Sequence, residues 1–164
     1  MKLSLFLVLF FVLPTVPSCA ITGTKVVDGM CPEIIRFAAS TQPGDTSAVT
    51  LRGGWGGDDG NTLMTHDCRH SGDDSSRALC AYLGPNTSWE FGERNARRAI
   101  ACLDSGNANE ALARLERGDE PVEITSTLRG AEDQGVLVTV RFNYPKPPGT
   151  LTVLEISATR SGAP

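Results

Sequence analysis

Lysine is nearly missing from this chain. It occurs at positions 2, 25 and 146 only, and the 15 basic side chains are outnumbered by 19 acidic ones. Binding to a phosphate backbone requires a surplus of cationic side chains, so this balance speaks against nucleic acid as a partner. The positive charge that exists is arginine, which suits specific carboxylate or phosphate pairing better than diffuse attraction. Histidine is scarcer still, at 66 and 70 alone. Several motifs are missing as well. Without a C-x-x-C pair there is neither a zinc ribbon nor a thioredoxin-type redox pair. Without G-x-S-x-G a hydrolase serine has no address. The glycine-rich stretch 53–60 lacks the Gly-Lys-Ser/Thr ending of a phosphate loop, and no H-E-x-x-H occurs. There is no internal repeat.

Long apolar runs are also absent, with one exception. Residues 3–13 form a greasy core broken only by Ser4, preceded by Lys2 and followed by Pro14, Pro17 and the small residues Ser18, Cys19 and Ala20. One charge, a short apolar core and a small-residue exit are the pattern of a secretory signal peptide. Eleven residues fall short of the about 20 needed to span a membrane. The expected organisation is a signal peptide over 1–20 and a single domain over 21–164. Two processing routes fit. Cleavage after Ala20 removes Cys19. Alternatively, Val16-Pro17-Ser18-Cys19 resembles a lipoprotein lipobox, although Pro17 departs from the usual small or aliphatic residue. A lipidated Cys19 would tether the domain to a membrane, which is the one route by which a membrane enters this reading.

Either route leaves Cys31, Cys68, Cys80 and Cys102. An even number in an exported chain implies two disulfides, with three possible pairings. The destination is therefore extracytoplasmic, secreted or periplasmic, where thiols oxidise. Loss of Lys2 moves the net charge from −4 to −5 (14 basic against 19 acidic). The remaining length suits one core, and 17 glycines with ten prolines predict many turns.

Pro32 near a helix start with Glu33 behind it predicts a short helix over 32–39. Residues 48–52 read as a short strand and 62–68 as extended. Asp74 or Ser75 can cap a helix carrying Leu79, Cys80, Tyr82 and Leu83, which Gly84-Pro85 should stop. Thr87-Ser-Trp-Glu90 has the spacing of a capping box. It predicts a helix to about Leu103, with Glu90/Arg94 and Glu93/Arg97 as i,i+4 pairs and Gly106 beyond its end. Asn107 repeats the capping idea for a helix closed by Gly118 and Pro121. The period then changes to two. Residues 122–129, 136–142 and 151–158 alternate apolar with polar, predicting an antiparallel meander turning at Asp133-Gln-Gly135 and through the stiff 145–149 stretch. The expected class is α+β: three to four short helices packed on a C-terminal three-stranded antiparallel meander, small and disulfide-braced.

Chemistry-bearing side chains cluster once, at His66-Asp-Cys-Arg-His70. On a helix the two histidines would share a face and hold a metal with Asp73 or Asp74, but the glycine and acids downstream favour a loop. The spacing points to surface histidines beside a disulfide, and neither a metal nor a cofactor is expected. Asp58-Asp59 and Asp73-Asp74 read as solvated turn formers or caps rather than a glycosidase pair. Trp55, on a glycine-rich loop, is a candidate anchor for a partner, since tryptophan is enriched at interface hot spots. Arg94, Arg97 and Arg98 give one helix a basic patch in an acidic protein. The candidate binding residues are accordingly Trp55, His66, His70, Arg94 and Arg98, with no catalytic residue assigned.

These features favour a non-enzymatic exported binding protein, periplasmic or envelope-associated, of inhibitor or immunity type. Its partner would be another extracytoplasmic protein. Two alternatives stand beside it: a small secreted hydrolase or metal-dependent enzyme using His66 and His70, and a structural envelope lipoprotein.

Overall fold

The computed structural model describes residues 28–56, 61–118, 121–131, 135–144 and 151–162. The signal segment with Cys19, the Asp58-Asp59 pair, most of the Asp133-Gln-Gly135 turn and the 145–149 stretch lie outside the described residues. The elements run α1 (Met30–Ala39), β1 (Thr46–Trp55), β2 (Met64–His70), α2 (Asp74–Asn86), α3 (Gly92–Ile100), α4 (Ala108–Arg117), β3 (Val122–Ser126), β4 (Val136–Asn143) and β5 (Thr152–Arg160).

The class is α+β, with a larger sheet than the alternation of the C-terminal third predicts. Five antiparallel strands lie in the order β2-β1-β5-β4-β3. The meander of β3, β4 and β5 is extended by the β1–β2 hairpin, which joins through β5. Alternation sends one set of side chains to the helix layer: Val49 and Leu51 from β1, Leu154, Ile156 and Ala158 from β5, Val138, Val140 and Phe142 from β4, and Val122 and Ile124 from β3, all buried. Met30, Ile34 and Phe37 of α1, Leu79 and Leu83 of α2, Ala96, Ala99 and Ile100 of α3, and Leu115 of α4 close the core from above. Among the described residues the other sheet face carries no helix, and it is mostly polar. Its register aligns Thr50, Glu155, Arg141 and Glu123 in one row, where Arg141 donates to Glu123 at 3.0 Å and to Glu155 at 3.3 Å. Such opposite-charge cross-strand pairs contribute tenths of a kcal/mol each.

The two disulfides settle the pairing. Cys31 joins Cys102, tying the first turn of α1 to the chain after α3, and Cys68 of β2 joins Cys80 of α2. Both suit an oxidising compartment. Among the described residues no helix is long and apolar enough to cross a membrane.

Helix boundaries depart from expectation for local reasons. α1 begins two residues before Pro32. The cap of α2 is Asp73, one residue earlier than expected: its Oδ1 accepts from the Ser76 N–H at 2.8 Å and from the Ser75 hydroxyl at 2.6 Å. Pro85 does not stop α2 but sits in its last turn. There the Asn86 amide donates to the Tyr82 carbonyl and the Thr87 hydroxyl to the Leu83 carbonyl, occupying oxygens that the helix end leaves open. The capping box at Thr87 does not form, because its hydroxyl is turned back onto α2. Ser88 takes over, its hydroxyl accepting from the Phe91 N–H at 3.1 Å, and α3 starts at Gly92. α3 ends at Ile100, well before Gly106. Asn107 precedes α4 without a side-chain cap bond, while Gly118 ends it in the left-handed region at φ 67° as expected.

Burial disfavours the Asp73 carboxylate, but hydrogen bonds from the Ser71 and Ser75 hydroxyls, the Ser76 N–H and the Ser76 hydroxyl outweigh that cost and hold its pKa well below the usual range. Replacing Asp73 by alanine is expected to cost about 1–2 kcal/mol at neutral pH, read from the urea midpoint. A group with a depressed folded pKa stabilises above its unfolded value and loses that contribution as the pH falls. The gap between parent and variant should therefore narrow below about pH 4. Equal midpoints at pH 7 would show that the cap contributes nothing.

Candidate functional site

Trp55 is the last residue of β1, and the alternation of its strand turns it toward the helix side. Its cross-strand neighbour is Met64. Above them runs the segment between α2 and α3, and Trp89 of that segment meets Trp55 edge to face, with ring centroids 4.9 Å apart. Edge-to-face pairs bring the positive rim of one ring to the negative face of the other, a gain of about 0.5–1.5 kcal/mol beyond area. Trp55, the expected anchor, and Trp89, which the sequence shows only within the Thr87–Glu90 capping spacing, thus form one unit.

Three devices hold Trp89 in place. The buried Asn95 side chain clamps Ser88, its Oδ1 accepting from the Ser88 N–H at 3.0 Å and its Nδ2 donating to the Ser88 carbonyl at 2.6 Å. Gly53 has no side chain where the Trp89 backbone lies over β1; a Cβ there would stand 2.7 Å from the Trp89 carbonyl oxygen. Gly92 likewise lies on Thr152, whose hydroxyl donates to the Gly53 carbonyl at 2.7 Å. These positions gave no motif signal in the sequence. Only a fold that brings 87–92 over the β1–β5 seam gives Gly53 and Gly92 their purpose.

The resulting end of the molecule is apolar and exposed. Five large hydrophobic side chains among the described residues are exposed, and four are here: Trp55 at 54%, Leu63 at 78%, Met64 at 45% and Phe91 at 56%. Leu63 and Met64 open the returning strand, and Phe91 follows Trp89 by two residues. Behind Phe91 a cavity of about 550 Å³ is lined by Glu90, Glu93, Arg94, Phe142 and Tyr144 among others. The Tyr144 hydroxyl donates to the Leu115 carbonyl, and burial, with Glu93 nearby, pushes its phenol up to about 12.

The five candidate binding residues do not form one site. His66 belongs to the aromatic end: its Nε2 lies 3.2 Å from the Thr87 hydroxyl oxygen. That hydroxyl already donates to Leu83, which leaves it to accept from the His66 ring. His70 sits at the far end of the same strand, about 13 Å along it, where its Nδ1 accepts from the Gly72 N–H. The two rings share a strand face but not a site, and among the described residues no group of three or more His, Cys, Asp or Glu could hold a metal ion.

The arginines divide too. Arg98 forks onto Asp28, Nε to Oδ2 at 2.6 Å and Nη2 to Oδ1 at 2.7 Å, and donates to the Asn86 carbonyl. Arg98 thereby holds the Asp28 carboxyl below its usual pKa range and fastens the lead-in to α1 against α2 and α3. Arg97 bridges Glu93 and Glu116, so the expected Glu93/Arg97 pair forms and the Glu90/Arg94 pair does not. Arg94 alone is exposed on the cavity rim beside Phe91.

No protein-family model, curated protein or solved structure matches the chain.

Proposed function

We propose that this is an exported, non-enzymatic binding protein. It acts by presenting the Trp55–Trp89 end of its sheet to another extracytoplasmic protein, as an inhibitor or immunity-type protein would. The observation that carries the reading is the gathering of Trp55, Leu63, Met64 and Phe91 at one end of the molecule. Large apolar side chains left exposed together at one end of a small domain mark interaction sites. Its support is rigid: a disulfide-tied β2, a reciprocal Asn95 clamp and two close-packed glycines. A pre-organised surface loses little entropy on binding. Arg94 supplies a cation on the flank for an acidic group of the partner.

Capture of partners from envelope extract by the oxidised protein, followed by mass spectrometry, tests this. Trp55→Ala and Phe91→Ala should each reduce capture by more than tenfold, the effect of losing about 2 kcal/mol at a hot spot. Leu137→Ala, an exposed apolar residue on the open sheet face, should leave it intact. Undiminished capture by the Trp55 variant would refute the assignment.

A further inference from the structure

The sheet ends in two edges that are managed differently. β3 has five residues, and its continuation is already occupied: Leu103 bridges Leu128, and the Asp104 N–H donates to the Thr127 carbonyl at 2.8 Å. β2 has seven residues and, among the described residues, pairs only with β1. Edge strands are ordinarily blunted by charged side chains, above all lysine, by proline, by a bulge or by short length. β2 has no lysine or proline, its register with β1 runs unbroken from Trp55↔Met64 to Val49↔His70, and its two charged side chains, Asp67 and Arg69, are of opposite sign.

Backbone polarity along β2 follows from that register. The Gly56 N–H donates to the Leu63 carbonyl and the Ser71 N–H to the Ala48 carbonyl. Odd-numbered residues are therefore the ones bonded to β1, and Met64, His66, Cys68 and His70 direct their N–H and C=O groups outward. On the open sheet face the strand carries Asp67 and Arg69, whose side chains meet at 3.1 Å.

We propose that this edge pairs with the same edge of a second copy, antiparallel about a two-fold axis at Cys68, giving a continuous ten-stranded sheet. Charge selects the register. Only even-numbered residues can exchange bonds across the axis, so few alignments exist. Centring on residue 67 sets Asp67 against Asp67, and centring on 69 sets Arg69 against Arg69. Centring on Cys68 sets each Asp67 against Arg69 of the second copy, twice, at the non-hydrogen-bonded positions where cross-strand side chains come closest. The helix layer agrees. α2 runs alongside β2, from the Asp73 cap near Ser71, past the Cys68–Cys80 bridge, to Thr87 beside His66. The flank beyond Cys80, away from α1, is Arg77, Ala81 and Gly84. The same axis brings Ala81 to Ala81 and Arg77 to Gly84 of the second copy, where an added Cβ would meet nothing within 4 Å. The contact is isologous and closes at two copies. It leaves Trp55 and Phe91 uncovered and touches the partner site only at Met64, the first residue of β2.

Sedimentation equilibrium of the oxidised protein across the micromolar range should show a dimer. Asp67→Arg and Arg69→Asp should each weaken it about tenfold or more, and an equimolar mixture of the two variants should recover association, because each then meets its opposite. Independently of any variant, amide exchange at His66, Cys68 and His70 should slow as concentration rises. A protein that stays monomeric throughout overturns the proposal. So do a dimer indifferent to both substitutions, folded variants that fail to associate when mixed, and edge amides that exchange at one rate at all concentrations.

Discussion

Replacing Cys31 and Cys102 together by alanine is expected to lower stability by about 4 kcal/mol. The chain-entropy estimate for a loop closed over a separation of 71 residues gives that figure. The same estimate for Cys68–Cys80, 12 residues apart, gives about 3 kcal/mol. The difference in consequence should be larger than the difference in loop length suggests. Cys102 is buried and lies between the end of α3 and the 127–129 segment that extends β3. The long bridge therefore ties α1, which packs on both α2 and α3, to the far side of the sheet. Against a typical total of about 5–15 kcal/mol, its loss brings the domain near the edge of folding, with a fall in Tm on the order of 10–20 °C. Thermal unfolding followed by circular dichroism checks this. A Cys31/Cys102 variant that melts no lower than a Cys68/Cys80 variant would show that the long bridge does not hold the helix layer to the sheet.

How legible each part was in the sequence follows from how each element is buried. β3, β4 and β5 lie where one face meets the core and the other meets water, so Val138, Val140 and Phe142 alternate openly with Thr139 and Arg141. β1 alternates for the same reason as far as Leu51, then gives way to Gly53-Gly54, because Trp89 needs the space above Gly53. β2 shows no apolar alternation at all. It is an edge strand whose core-facing positions are Met64, His66, Cys68 and His70, and the disulfide takes the place of a packed hydrophobe. Residues 48–52 and 62–68 read as strand and extended, and β1 and β2 form there, but their weak alternation gave no sign that they join the C-terminal meander in one sheet.

The site was half legible for a related reason. Trp55 stood out by composition and by its glycine surroundings. Trp89 and Phe91 were disguised by Thr87-Ser-Trp-Glu90, which has capping-box spacing but whose threonine hydroxyl has a better acceptor in the Leu83 carbonyl. His66 and His70 drew attention as a pair, and the extended backbone separates them. Arg98 read as a surface cation, but its partner Asp28 lies 70 residues away in sequence, a distance that local spacing rules do not reach.

Gly53→Val should separate the fold from the binding surface. A Cβ at this position meets the Trp89 carbonyl oxygen at 2.7 Å and the Trp89 Cα at 3.2 Å. Both are backbone atoms, so the strain cannot be relieved by a rotamer change and the 87–92 segment must lift off β1. Overpacking of this kind costs about 1–3 kcal/mol, which a domain with both bridges intact can absorb while the sheet and its core persist. The Trp55–Trp89 contact lies directly on the displaced segment. Near-ultraviolet circular dichroism should lose the signal of the coupled indoles while the far-ultraviolet spectrum is retained, and partner capture should fall as far as it does for Trp55→Ala. The two effects must appear together, because one displacement causes both. A folded Gly53→Val protein that keeps full capture would mean that Trp89 need not sit against Trp55 for recognition, and the binding surface would then reduce to the hairpin alone.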